Sequence, residues 1–369
     1  MILNISDSTF KRIMKNEDFY LPIRWDGNSF SNTLELLFNK YINQLELLSE
    51  QKENNMYIST NLTDIKKVCG LLVKSVNDYL NGFPSKSYAT FNKVMNIIMR
   101  NPLQIYFKSI MEQFDSPSVQ DKLKLFRVVC VEDNKPYDRE RIFHTPYNLR
   151  AKVSTCRYSI AGYPSLYLGT SLKLCSEEVN MDLHRTFALA SVFKLERVFE
   201  YTNIKIKVIE LGVKPQDFVE TKQTNQINNR KLSHNLLDSP DIKSDYLLWY
   251  PLIAACSYIR INKKDPFAAE YIIPQLLMQW VRSEMSSMVE KECKQLIGIR
   301  YFSCASEKAS DMGFNYVFPT SGKQKTAEHP YCSVLSKSFR MSKPVYVHEY
   351  ENISACQDFL ETINEFDFI

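Results

Sequence analysis

The sequence predicts an α+β fold, a mixed-sheet domain preceded by a helical region, and three observations lead there. The first 120 residues or so carry apolar side chains mostly at helical spacing. From about Lys122 the texture becomes β-rich, with short runs that lack the regular strand–helix alternation of a doubly wound sheet. Between the two lies DSPSVQD (Asp115 to Asp121), a short polar stretch containing proline. The expected organisation is a helical packing or regulatory domain over 1–120 and a mixed α+β domain over 121–369.

In chain order, Asn32 and Glu35 have capping-box spacing, and Leu34, Leu37, Phe38, Tyr41, Leu45 and Leu48 follow at helical period. A second helix is expected from Thr63 to about Leu80, with Ile65, Val68, Cys69, Leu72, Val76 and Tyr79 on one face. Asn81-Gly82 and Pro84 stop it. A third spans Tyr88 to Met99 and ends at Asn101-Pro102. Strands are expected at LKLFRVVCVE (Leu123 to Glu132), SLYLG, FALASVFKLE, IKVIEL, GIRYFSC, NYVFP and PVYVHEY. Helices are expected over Tyr246 to Tyr258 and Phe267 to Lys294. The polar stretches Thr221 to Asp245 and Thr320 to Lys343 read as surface loops or insertions.

Composition removes several function classes. A net charge of +4 over 369 residues, with acids and bases interleaved, argues against a nucleic-acid-coating surface. No apolar run is long enough for a membrane span, and MILNISDSTFKR lacks a secretory core, so a cytoplasmic protein is expected. Nine cysteines stand singly, without zinc spacing, which reads as reduced thiols and no structural metal. With nine glycines, the chain has neither GxGxxG nor GxxxxGK[ST], and HExxH and GxSxG are also absent. If a nucleotide binds, it does so without glycine-cradled phosphates.

The positive signal lies between Phe143 and Glu178. Arg157 is followed ten residues later by Tyr167 and twenty-one residues later by Glu178, around the strand SLYLG. Alternation turns Tyr167 to the face opposite Leu166 and Leu168. Glu178 ends a short helix opened by Thr170 or Ser171. Cleavage of a nicotinamide–ribose bond builds positive charge on the sugar, which a carboxylate stabilises chiefly at the transition state. A guanidinium holds phosphate or ribose through paired donors, and an aromatic ring orients the pyridine. Each residue alone also has an ordinary explanation in packing or solvation; their joint spacing is what points to chemistry.

That spacing resembles the RES family, in which an arginine precedes a turn, a tyrosine sits in the following strand, and a helix ends in glutamate. GIRYFS is similar to the later family strand and places its serine at Ser303, followed by a GxN segment at Gly313 to Asn315. LFRV (with Arg127), FHTPY (with His144) and EYIIPQLLMQWVR extend the resemblance over about Lys124 to Pro319. The resemblance implies an ADP-ribosyltransferase-like pair of mixed sheets with NAD in the cleft, as substrate and with no further cofactor. By the same token Glu178, Arg157 and Tyr167 are catalytic, while Arg127, Ser303 and His144 bind substrate. Glu178 is preferred to its neighbour Glu177.

An NAD-degrading, toxin-like enzyme is therefore expected, transferring ADP-ribose to water or inorganic phosphate. Transfer to a macromolecule and an inactive nucleotide-binding module are the alternatives. An antitoxin or regulatory protein would restrain such an enzyme, and family members are often dimers.

Overall fold

The computed structural model describes residues 5–50, 55–100, 103–106, 124–181, 187–195, 205–219, 240–288, 294–320 and 330–369. Two compact units divide the chain, and neither is continuous in sequence. One comprises Met1–Gln104, Val213–Ile227 and Leu232–Trp280; the other comprises Ile105–Gly212, Asn228–Lys231 and Val281–Ile369. This division differs from a single cut between 120 and 121, because the described residues 213–219 and 240–280 group with the N-terminal helices. The linker Asp115 to Asp121 lies outside the described residues.

In the first unit, helices run over Asp7–Met14, Phe30–Ser49, Asn55–Leu80, Pro84–Ile98 and Pro240–Ala255. The second of these is capped by Ser29, whose side chain accepts from the Asn32 amide, so it starts ahead of the expected Asn32 cap. Gly82, at φ +83°, ends the Asn55–Leu80 helix, but Pro84 opens the next helix rather than stopping the last. From Tyr246 onward the helix Pro240–Ala255 is apolar on every face, which is the signature of a core helix. Its Tyr246, Trp249, Tyr250 and Leu252 are fully buried. Tyr41 Oη donates to Leu247 O (2.9 Å) and Tyr250 Oη donates to Phe19 O (3.2 Å), tying this helix to N-terminal residues.

The second unit is built on a nine-stranded sheet. Its strands are β1 (Gln104–Tyr106), β2 (Lys124–Val131), β3 (Ser165–Gly169), β4 (Phe187–Leu195), β5 (Lys205–Leu211), β6 (Lys294–Tyr301), β7 (Asn315–Pro319), β8 (Phe339–Met341) and β9 (Val345–Tyr346). The order is β1-β5-β6-β7-β3-β2-β4-β8, with β9 on β4. β5 and β6 run parallel, whereas β6/β7, β7/β3, β3/β2 and β2/β4 are antiparallel, so the α+β class holds with a mixed sheet. β2 pairs with β4 along its whole length but meets β3 at one position only, Phe126 with Gly169. β2 and β3 therefore part on either side of that position.

Two helices, Leu172–Glu178 and Ile353–Thr362, cover one face of β2 and β4. Leu172, Cys175, Cys356 and Leu360 interlock there with Phe126, Val128, Ala188, Ala190 and Val192. The long helix spans Ile272–Met288, and β6 begins at Lys294, where that helix had been expected to end. Among the described residues no helix is long and apolar enough to cross a membrane.

Candidate functional site

The site grows from the loop ahead of β3. Cys156 and Ser159 exchange backbone hydrogen bonds (3.1 and 3.2 Å), closing a tight turn with Arg157 and Tyr158 at its tip. Gly162, at φ +80°, lets the chain turn back, and its amide donates to Val153 O (3.0 Å). β3 then starts. Ser159 Oγ and Tyr167 Oη lie 2.7 Å apart, so the loop carrying Arg157 is bonded directly to the strand carrying Tyr167. Arg157 is 9% exposed, a level at which a guanidinium must be paired or hydrogen-bonded.

Strand register brings the next groups together. Gly169 stands opposite Asn315 and Asn315 opposite Tyr301, across β3, β7 and β6. Residues paired in antiparallel strands share a face, and Tyr167, two positions from Gly169, shares it too. At Gly169 a Cβ would lie 2.8 Å from Cys175 Sγ, so glycine is what allows the helix Leu172–Glu178 to sit close to the sheet. Ser171 caps that helix by accepting from the Leu174 amide (3.2 Å). Thr170 and Phe314 exchange bonds: the Thr170 amide donates to Phe314 O, and the Phe314 amide donates to Thr170 Oγ1, both at 2.9 Å.

Glu178 is the last residue of this helix, where the macrodipole disfavours a carboxylate. Its compensation comes from the sheet: Asn315 Nδ2 donates to Glu178 Oε1 at 2.5 Å. The side chain is solvent-facing but aimed by Asn315, and Glu177 is exposed one position earlier on the same helix.

Tyr301 is the common neighbour of these groups. Its ring lies 4.7 Å from that of Tyr158, and the residue is 7% exposed. Burial raises its phenol pKa well above the ordinary value; Glu178, Tyr167 and Tyr158 push in the same direction and Arg157 opposes them. Sequence inspection did not single out Tyr301, although its place two residues before Ser303 and opposite the GxN segment was visible.

Arg127 enters where β2 and β3 part, and its Nη1 donates to Tyr167 O (2.8 Å). Burial pulls its pKa down to about 10, with the sulfurs of Cys175 and Cys156 and the Tyr167 phenol pulling it back up. It therefore stays cationic at neutral pH. Ser303 does not lie on a strand as expected: β6 ends at Tyr301, and the fully buried Ser303 accepts from the Ala305 amide (3.1 Å) in the turn beyond.

Of the two roles open to His144, a nucleotide contact or a turn-stabilising residue beside Pro146, the geometry favours the second. His144 is fully buried, its Nδ1 lies 2.9 Å from Thr145 O, and its Nε2 accepts from the Cys332 amide at 2.9 Å. Both ring nitrogens are thus taken by backbone, which fixes the tautomer and leaves nothing for a nucleotide edge.

One buried pair behind the site escaped the sequence reading altogether. Arg300 and Glu210, both fully buried, face each other across β6 and β5 with Nε and Oε2 3.4 Å apart. The Arg300 guanidinium stands 3.7 Å from the centre of the Phe314 ring, the residue next to Asn315. A guanidinium held in this way anchors the β7 end of the site from the opposite face of the sheet.

No protein-family model matches this chain, and no solved structure matches it. The chain is similar to a protein of Bacillus subtilis (strain 168) named "Putative toxin YopC", with 29% identity over 333 residues. The match covers 88% of this chain and 68% of that protein, so it takes in both structural units. The resemblance is thus to a toxin-like protein along most of the length.

Proposed function

We propose that this chain is an NAD-degrading enzyme of the RES kind, acting as a toxin-like effector. The observation that carries the reading is geometric: Ser159 bonds the Arg157 loop to Tyr167 (2.7 Å), and strand register sets Tyr301 opposite Asn315, which holds Glu178. Arg157, Tyr167 and Glu178 are the three residue types that nicotinamide release calls for, and they sit on a loop, a strand and a helix end of the same unit. Similarity to a protein named as a toxin adds support, since uncontrolled loss of NAD harms a cell.

In this reading Arg157 and Arg127 supply fixed positive charge for the phosphates, and Tyr167 orients the nicotinamide. The bond between ribose C1′ and the pyridine nitrogen breaks, its electron pair leaves with nicotinamide, and positive charge spreads over the sugar. Glu178, held by Asn315, stabilises that charge. Oxygen of water, which gives up a proton to solvent, or of inorganic phosphate then bonds to C1′, giving ADP-ribose or its phosphate ester.

Purified protein incubated with NAD should release nicotinamide. Glu178→Gln should lower the rate by at least about a hundredfold, the scale typical of losing one stabilising group of this kind. Circular dichroism of this variant should match wild type, because Glu178 is exposed and buries no core atoms. NAD left intact by wild type, with and without phosphate, would refute the reading.

A further inference from the structure

The Tyr301 hydroxyl stands out among the polar groups of the site. The residue is more than nine-tenths buried, and its hydroxyl makes no hydrogen bond among the described residues. Buried phenols ordinarily find a partner, and one left without is costly. The residue still keeps 7% of its surface open. The ring is fixed by packing on Tyr158, so the oxygen is held in place rather than free to swing to solvent. Directly opposite on β7 is Asn315, which holds Glu178.

From this geometry we infer that Tyr301 is a substrate-binding residue whose hydroxyl bonds a hydroxyl of the nicotinamide ribose, the same sugar that Glu178 serves. The inference rests on the NAD reading above. A neutral phenol can both donate and accept, which suits another hydroxyl. Burial and its acidic neighbours keep the phenol protonated at any physiological pH. It therefore selects an uncharged polar partner beside the carboxylate rather than a phosphate, which Arg157 and Arg127 suit better. Tyr301 thereby determines specificity for an intact ribose at this position.

The test is a binding cycle by titration calorimetry with Glu178→Gln, which holds NAD without turning it over, and with Glu178→Gln/Tyr301→Phe. Phenylalanine keeps the ring on Tyr158, so thermal unfolding should be unchanged. NAD should bind about tenfold more weakly to the double variant, the upper range for one neutral hydrogen bond. Analogues lacking the 2′- or the 3′-hydroxyl of the nicotinamide ribose identify the partner: for one of them the two proteins should bind equally well. Equal affinity for NAD in both proteins, or an identical loss for NAD and both analogues, overturns the role of Tyr301 alone. Absence of NAD binding to a folded Glu178→Gln protein overturns the NAD reading as well.

Discussion

At the scale of single residues, spacing along the chain singles out some side chains and leaves others unseen. Arg157, Tyr167 and Glu178 were legible because their chemistry is distinctive and their order suits a loop–strand–helix unit. Asn315 was legible as part of a motif, but not as the group that aims Glu178, since that bond joins residues 137 apart. Removing it should release the carboxylate: Asn315→Ala is expected to lower the rate of nicotinamide release about tenfold while KM for NAD changes little, as for loss of one charge-assisted hydrogen bond. Steady-state kinetics on the variant checks this, and an unchanged rate would remove Asn315 from the machinery. His144 was readable as a nucleotide contact or as a turn-stabilising residue beside Pro146, with nothing local to decide between them. Its pKa falls from 6.5 to about 4, burial being the main cause. The folded state therefore holds the neutral ring where the unfolded state would protonate it. Its share of stability is complete above pH 6.5 and is lost as pH falls towards 4, by about 3 kcal/mol in all. Urea unfolding between pH 7 and 4 should show this slope, and His144→Asn should flatten it while lowering stability at pH 7.

At the scale of elements, strands with clean alternation were the most readable. SLYLG is β3 from end to end, because Leu166 and Leu168 face the core while Tyr167 turns to the site. Boundaries set by tertiary contacts were less so. β6 begins at Lys294 and ends before Ser303 because parallel pairing with β5 determines its extent, and nothing local records that pairing. The link from β6 to β7 carries a further constraint. Gly313 adopts φ +140°, and a Cβ there would lie 2.3 Å from Thr170 Oγ1, the atom that accepts from the Phe314 amide. Gly313→Ala thus combines backbone strain with displacement of the Thr170–Phe314 clasp. It should cost about 2–4 kcal/mol of stability and lower NAD turnover, because Asn315 moves with the loop. Gly70, whose added Cβ would meet nothing within 4 Å, is the control: Gly70→Ala in the helix Asn55–Leu80 should stabilise by about 0.5–1 kcal/mol. Thermal denaturation of the two variants side by side tests both signs.

At the scale of the whole molecule, the change of texture near Lys122 was real in the sequence but did not mark where one packed body ends. Linear reading assigns each residue to the nearest run of similar character, whereas packing assigned residues 213–219 and 240–280 by the apolar surface they needed to bury. The helix Pro240–Ala255 illustrates the difference. Its Tyr246 ring meets Phe10 (6.3 Å) and Phe218 (4.8 Å), its Tyr250 meets Phe19 (5.7 Å) and Tyr41 (4.6 Å), and Lys243 Nζ reaches Asp7 (2.6 Å). Every partner here except Phe218 lies in the first 41 residues. A fragment beginning at Lys122 would keep this helix and lose its N-terminal partners, leaving several aromatic side chains that are fully buried in the full chain open to water. At roughly 1.5–3 kcal/mol for each large apolar side chain kept buried, that exposure exceeds the net stability of an ordinary domain. The fragment 122–369 should therefore be aggregation-prone and should lack a cooperative unfolding transition. The internal deletion of 213–280 should likewise leave the N-terminal helices poorly folded. Supplying residues 1–104 in trans should restore solubility to the fragment, because the missing partners form a continuous stretch of chain. A fragment 122–369 that is soluble, monomeric and cooperatively folded on its own would show that residues 213–280 do not depend on the N-terminal helices, and that the boundary near Lys122 marks an independent folding unit after all.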